Sequence, residues 1–151
     1  MQIEYCTTID STNRELMRRL QAGALPSPTV LWTDNQTAGR GQRGRQWETL
    51  PGEAMAFSAY YAHTALPVDR IYQLNKWVSL AVCALLSADL PDSAIRIKWP
   101  NDIVVDGRKI AGILIENMLS GRHVTGSVIG VGLNVNQQQF TGEYRREPVS
   151  M

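Results

Sequence analysis

The chain has 151 residues, 44% of them apolar and 19% charged, which suits one soluble globular domain and leaves no room for two ordinary ones. Its net charge of +1 supplies no global field toward nucleic acid or a membrane surface, and its apolar runs break far short of the ~18 residues of a bilayer span. No leader pattern opens the chain, and its two cysteines, Cys6 and Cys83, stand in no metal-ligand spacing; both features point to a cytoplasmic protein with buried, reduced thiols.

Taken in chain order, residues 3–6 read as a short strand. Thr12-Asn13-Arg14-Glu15 has the form of a capping box, in which the Thr12 hydroxyl and Glu15 carboxylate satisfy free amides at a helix start. That helix should run through Leu16 and Leu20 and end at Gly23 in a left-handed conformation. Pro26 and Pro28 lead into a strand at 29–33, a glycine–arginine loop follows, and 54–61 reads as the next strand. Over residues 70–90, Ile71, Leu74, Val78, Ala81, Val82 and Leu85 recur at helical spacing, and Pro91 stops the pattern. Ile95 and Ile97 begin a strand, and Asp106-Gly107 predicts a tight hairpin between 103–105 and 110–115. A second turn near Ser120-Gly121 returns through 124–135. Hairpin-linked strands with helices set apart predict an α+β domain on a mixed, largely antiparallel β-sheet. The polar stretch 137–151 closes no element, so the domain is expected to be incomplete at its C-terminus.

Four segments have side chains suited to chemistry. In the loop Gln36 to Trp47, Gly39, Gly41 and Gly44 let the backbone approach a ligand and aim amides at an anion. Arg40, Arg43 and Arg45 add planar forks for phosphate or carboxylate, and Trp47 can lie over an aromatic base. The loop matches neither a Walker loop nor a dinucleotide fingerprint; alone, it equally suits a solvated turn or a nucleic-acid contact. Its glycines and sparse apolar anchors predict mobility until a ligand orders it. Lys98-Trp99-Pro100-Asn101-Asp102 is a bend whose last two side chains can bond backbone or ligand. Lys109 precedes an apolar strand in which Gly112 implies close approach by a ligand or backbone. Gly130-Val131-Gly132-Leu133-Asn134-Val135-Asn136 is a small-residue strand ending in two amides. His63 and His123 lie on no recognisable site motif, and no nucleophile–base set is evident.

The order Asp10-Ser11-Thr12-Asn13, GRGQRGRQW, KWPND, KIAGILIE, GVGLNVN resembles the catalytic domain of the biotin–protein ligases, within the biotin/lipoate ligase superfamily, from about Asp10 to Asn136. The resemblance implies a class II aminoacyl-tRNA-synthetase-like catalytic fold over 1–151, without an N-terminal DNA-binding domain or the small C-terminal β domain of some relatives. It implies an ATP-dependent enzyme, with Mg2+, that forms biotinyl-5'-AMP from biotin and passes biotin to a lysine of a biotin carboxyl carrier protein. The alternatives are a lipoate or octanoate ligase of the same fold, a folded but inactive ligase fragment, and a non-catalytic nucleic-acid module. Homodimer formation stays open.

The same resemblance implies roles for single residues. Ser11, Thr12, Asn13 and Gln36 would meet the ureido ring of biotin. Gly39 and Arg40 would hold the carboxylate and phosphate end, with Gly112 leaving room beside the ligand. Arg43, Arg45, Trp47, Asn101 and Asn134 would attend the adenylate. Lys109, with Arg40, would stabilise charge building between biotin carboxylate and α-phosphate; Asp102 would orient Lys109 or act through Mg2+. Gln42 departs from the many relatives that carry a second arginine there.

Overall fold

In the computed structural model, all residues except Ala24, Glu143 and Arg145 are described. The elements are β1 (Gln2–Tyr5), α1 (Thr12–Ala22), β2 (Thr29–Thr33), β3 (Ala54–Pro67), α2 (Ile71–Asp89), β4 (Ile95–Lys98), β5 (Asp102–Val105), β6 (Arg108–Ser120) and β7 (His123–Asn134). The seven strands form one sheet in the order β1-β2-β3-β7-β6-β5-β4. β1 and β2 pair in parallel, and the other neighbours are antiparallel. This is the mixed, largely antiparallel α+β arrangement expected from the hairpin signals. Asp106 and Gly107 have φ of 50° and 80°, the two positive values that a type I′ hairpin turn requires.

Alternation along β7 divides the core in two. Val128 packs with Leu16 of α1 and Leu31 of β2, while Val131 and Leu133 pack with Val82 and Leu86 of α2. The helices therefore cover opposite faces, α1 near the β2–β3 side and α2 near β4–β6. No helix among the described residues is long and apolar enough to cross a membrane.

Several local expectations are corrected. The N-cap of α1 is Ser11, not Thr12: Ser11 is extended, and its hydroxyl accepts from the Arg14 N–H at 3.5 Å. Glu15 turns to Arg18 and Arg19 instead of closing a box. Gly23 has φ 147° and ψ −141°, outside the left-handed helical region but in one that glycine tolerates. On α2 the buried line is Leu74, Val82 and Leu86, with Val78 partly buried, whereas Leu85 is 55% exposed beside exposed Trp77 and Leu80. Leu85 and Leu86 are both apolar neighbours, so periodicity alone could not choose between them. β3 continues past Tyr61 to Pro67 because β7 offers partners as far as His123, with an irregularity between Ala62 and Leu66.

The polar tail is also better tied than its composition suggests. Pro148 bridges Lys109, the Val149 N–H donates to the Lys109 carbonyl at 2.8 Å, and the Met151 N–H donates to Val135 at 3.1 Å. Cys6 and Cys83 are unpaired and half-buried rather than buried.

Candidate active site

The α1 face of the sheet is interrupted where β7 contributes Gly130 and Gly132. A Cβ on Gly130 would run into the Asn13 side chain, and one on Gly132 would run into the indole of Trp47. These two positions are two residues apart on one strand, so the groups over them lie side by side at about 7 Å.

Over Gly130 sits a buried polar cluster. Because Ser11 supplies the cap, Thr12 is free to turn inward: its N–H donates to Gln36 Oε1 at 2.9 Å, and its hydroxyl lies 3.2 Å from the same oxygen. Ser58, wholly buried on β3, hydrogen-bonds Thr12 Oγ1 at 2.7 Å and Asn13 Oδ1 at 2.5 Å. The Asn13 amide donates to the Leu114 carbonyl at 3.3 Å and to Glu116 Oε2 at 2.9 Å. Arg40 closes the cluster, its Nη1 lying 3.0 and 3.3 Å from the Glu116 oxygens.

Over Gly132 and its β6 partner Gly112 sits a charged end. β5 pairs Ile103 with Ala111 and Val104 with Lys109, so Ile110 is an extra, bulged residue. Regular alternation would put Lys109 and Gly112 on opposite faces; the bulge puts them on the same one. Lys109 Nζ then lies 3.3 Å from the position of a Cβ on Gly112 and 5.3 Å from the Trp47 ring centroid. Asp102 holds it: Oδ1 is 2.7 Å from Lys109 Nζ, and Oδ2 is 2.9 Å from Lys98 Nζ. Burial pushes the Asp102 pKa up, but the hydrogen bonds from Lys109 and Lys98 outweigh it and hold its carboxyl below the ordinary aspartate value. Asp102 is therefore an anion at neutral pH. The Trp47 indole N–H is buried and has no acceptor among the described residues.

The glycine–arginine loop joins the two ends. Trp47 N–H donates to the Gly39 carbonyl at 2.9 Å, and Gly41 N–H to Arg45 at 2.7 Å. Arg43 takes φ 57° at the tip. Arg43, Gly44, Arg45 and Gln46 are exposed, so those few backbone bonds carry the loop. Amide hydrogen exchange at residues 41–46 should slow when biotin and MgATP are added and stay fast without them. Equal protection in both states would contradict a ligand-ordered loop.

The structure thus brings together Thr12, Asn13, Gln36, Gly39, Arg40, Trp47, Asp102, Lys109 and Gly112. Ser11 is spent on the cap. Arg43 and Arg45 point to solvent and make no ion pair among the described residues. Asn101 and Asn134 face the backbone: Asn101 Nδ2 donates to Ile113 at 2.9 Å, and Asn134 Nδ2 to Val149 at 3.0 Å. Sequence reasoning missed Ser58 and gave no individual role to Lys98, Glu116, Gly130 and Gly132, although these four lie in segments it singled out. A hydroxyl in phase with Ala54 and Ala56, and a carboxylate within an apolar strand, were the available signals.

A model of the biotin/lipoate A/B protein ligase family matches residues 5–134. The bifunctional ligase/repressor BirA of Bacillus spizizenii is 34% identical over 134 residues, 89% of this chain and 40% of that protein. A biotin–[acetyl-CoA-carboxylase] ligase of Mycobacterium tuberculosis is 37% identical over 142 residues, 90% of this chain and 50% of that one. The biotin protein ligase from Aquifex aeolicus, solved in complex with biotin and ATP, superimposes with a TM-score of 0.75 at 28% identity over 99% of this chain and 59% of that chain. The chain thus spans half or less of the length of these two curated relatives. With the match running from β1 to the end of β7 and through both ends of the site, the chain belongs to the biotin/lipoate A/B protein ligase family.

Proposed function

We propose that this chain carries the catalytic site of an ATP-dependent biotin–protein ligase, which forms biotinyl-5'-AMP and then biotinylates a lysine of a biotin carboxyl carrier protein. The observation that carries this reading is the placement of Lys109. A bulge and Asp102 hold its ammonium at the charged end, beside the polar cluster on the same sheet face. A ligand with a polar head and an anionic tail fits that polarity.

Thr12, Asn13, Gln36 and Ser58 would face the ureido head of biotin, one carbonyl and two N–H groups that need partners once buried. The head of lipoate has no such groups and would leave the cluster unpaired, which disfavours it strongly. In the first step a biotin carboxylate oxygen attacks the α-phosphorus of ATP and the bond to pyrophosphate breaks. Negative charge concentrates between the two reactants, where Lys109 and Arg40 would stabilise it. The orphan Trp47 N–H is a further donor at this end. In the second step the carrier lysine, as a neutral amine, attacks the acyl carbon; AMP leaves and the amine loses its proton.

Asp102 acts here by orienting Lys109. Both its oxygens are taken by ammonium groups, and among the described residues no group of three or more His, Cys, Asp and Glu side chains is arranged to hold a metal. Mg2+ would enter with ATP, whose phosphate oxygens are its ordinary ligands. Incubation with biotin and MgATP should yield biotinyl-5'-AMP by mass spectrometry. Biotin should also raise the melting temperature, by about 2.7 kcal/mol of added stability at a hundredfold excess over Kd, and lipoate should not. No shift with millimolar biotin and no adenylate would refute the assignment.

A further inference from the structure

Glu116 has no part in the chemistry above, yet it links the buried polar cluster, through Asn13, to Arg40 of the glycine–arginine loop. Its Oε2 accepts from Asn13, itself locked by Ser58 and the Leu114 carbonyl, and both its oxygens lie within 3.3 Å of Arg40 Nη1. The two contacts differ in kind. The Asn13 contact belongs to a cluster with buried members. The Arg40 contact joins side chains that are 40% and 25% exposed, and such a pair is weak and readily exchanged. Arg40 sits on the glycine-flanked loop and can follow a ligand, whereas Glu116 is fixed in the middle of β6.

We propose that Glu116 is a positioning residue that serves as a built-in counter-anion for Arg40, parking the guanidinium where an anionic ligand group must compete for it. The inference rests on the biotin–protein ligase reading and deepens it, because the competing group is the biotin carboxylate. Glu116 sets the preference of the site for charged over neutral ligand in two ways: it occupies Arg40, and its own charge opposes a second carboxylate nearby. Its link to Asn13 fixes the carboxylate at the boundary between the polar head and the anionic tail.

Glu116→Gln keeps the acceptor for Asn13 and removes the charge. Dissociation constants for biotin and for biotin primary amide are measured by calorimetry in four proteins: unchanged, Glu116→Gln, Arg40→Gln and the double variant. Glu116→Gln should tighten biotin binding about threefold to fivefold, the scale of one exposed ion pair, and leave the amide within about twofold. The ratio of the two constants should not respond to Glu116→Gln once Arg40 is already glutamine. Equal weakening of both ligands by Glu116→Gln would make the residue merely structural and overturn the proposal. The same change of ratio in both Arg40 backgrounds would overturn the Arg40 link. If the unchanged protein binds neither ligand, the biotin reading itself falls and the proposal with it.

Discussion

Lys109→Ala is expected to fold normally and to lose biotinyl-5'-AMP formation by on the order of 10²-fold or more, the scale for one well-placed group stabilising developing charge. The large kinetic effect follows because the charge Lys109 meets builds only as carboxylate and α-phosphate converge, so the interaction is stronger in the transition state than before it. The small effect on folding follows from geometry. The Lys109 side chain is 29% exposed, its pair with Asp102 is 17% exposed on the acid side, and partly exposed pairs contribute only about 0–1 kcal/mol. Asp102 also keeps Lys98. Biotin affinity should fall modestly, since the carboxylate is already negative in the ground state. Lys109→Arg should rescue poorly, because a planar fork cannot put its charge where a compact ammonium sits between Asp102 and the Trp47 ring. Arg108→Ala, exposed one residue earlier, is the control and should retain the rate. Near-normal adenylate formation by Lys109→Ala would sink the catalytic assignment.

Gly132→Val should be the most damaging change at the glycines of β7. Trp47 lies against the Gly132 backbone, so any β-carbon there displaces the indole. The same ring also rests over Gly112, where a Cβ would lie 2.9 Å from Trp47 Cζ3. Overpacking of this kind costs about 1–3 kcal/mol of stability, seen as a lower melting temperature. The functional loss should be larger: with Trp47 gone from beside Lys109, adenylate affinity should fall roughly tenfold or more, the equivalent of one lost stacking contact of ~1–3 kcal/mol. Gly126→Ala tests whether any glycine on β7 would do. There the methyl meets chiefly the Met118 terminal methyl and the Tyr60 ring edge, away from the charged end, so adenylate binding should persist. Unchanged binding by Gly132→Val would separate Trp47 from the ligand site.

Much of the architecture was legible because period and turn chemistry agree locally. Asp106-Gly107 announced its hairpin, and Pro91 ended a helix whose buried line differed from expectation at Ala81, which is exposed, and where Leu85 and Leu86 compete. What sequence could not supply was phase across irregularities. Counting from Gly112 by alternation puts Lys109 on the wrong face, and only the Ile110 bulge corrects it. The placement of the residues named from motif order was not legible either. Thr12 and Gln36 meet, though they lie far apart in the chain, but Asn134 and Asn101 are consumed by backbone carbonyls, a use that residue type alone does not distinguish from ligand contact. Ser58 and Glu116 sit on strands read as apolar and became visible only once β3, β7 and β6 were neighbours.

The strand order carries a consequence for synthesis. β7, last of the strands in sequence, lies in the middle of the sheet between β3 and β6. A nascent chain that has emerged only as far as Ser120 can join β1 with β2 and β3, and β4 with β5 and β6, yet it holds two separate ribbons. Each ribbon ends in a long unpaired margin, Ala54–Pro67 on one and Arg108–Ser120 on the other, the kind of open edge that recruits foreign strands. Completion is therefore a single late insertion that zips both margins at once and, in the same movement, delivers Gly130 and Gly132 beneath residues translated more than eighty positions earlier. Such non-local closure is slow, so both margins stay open to foreign strands until β7 has cleared the ribosome.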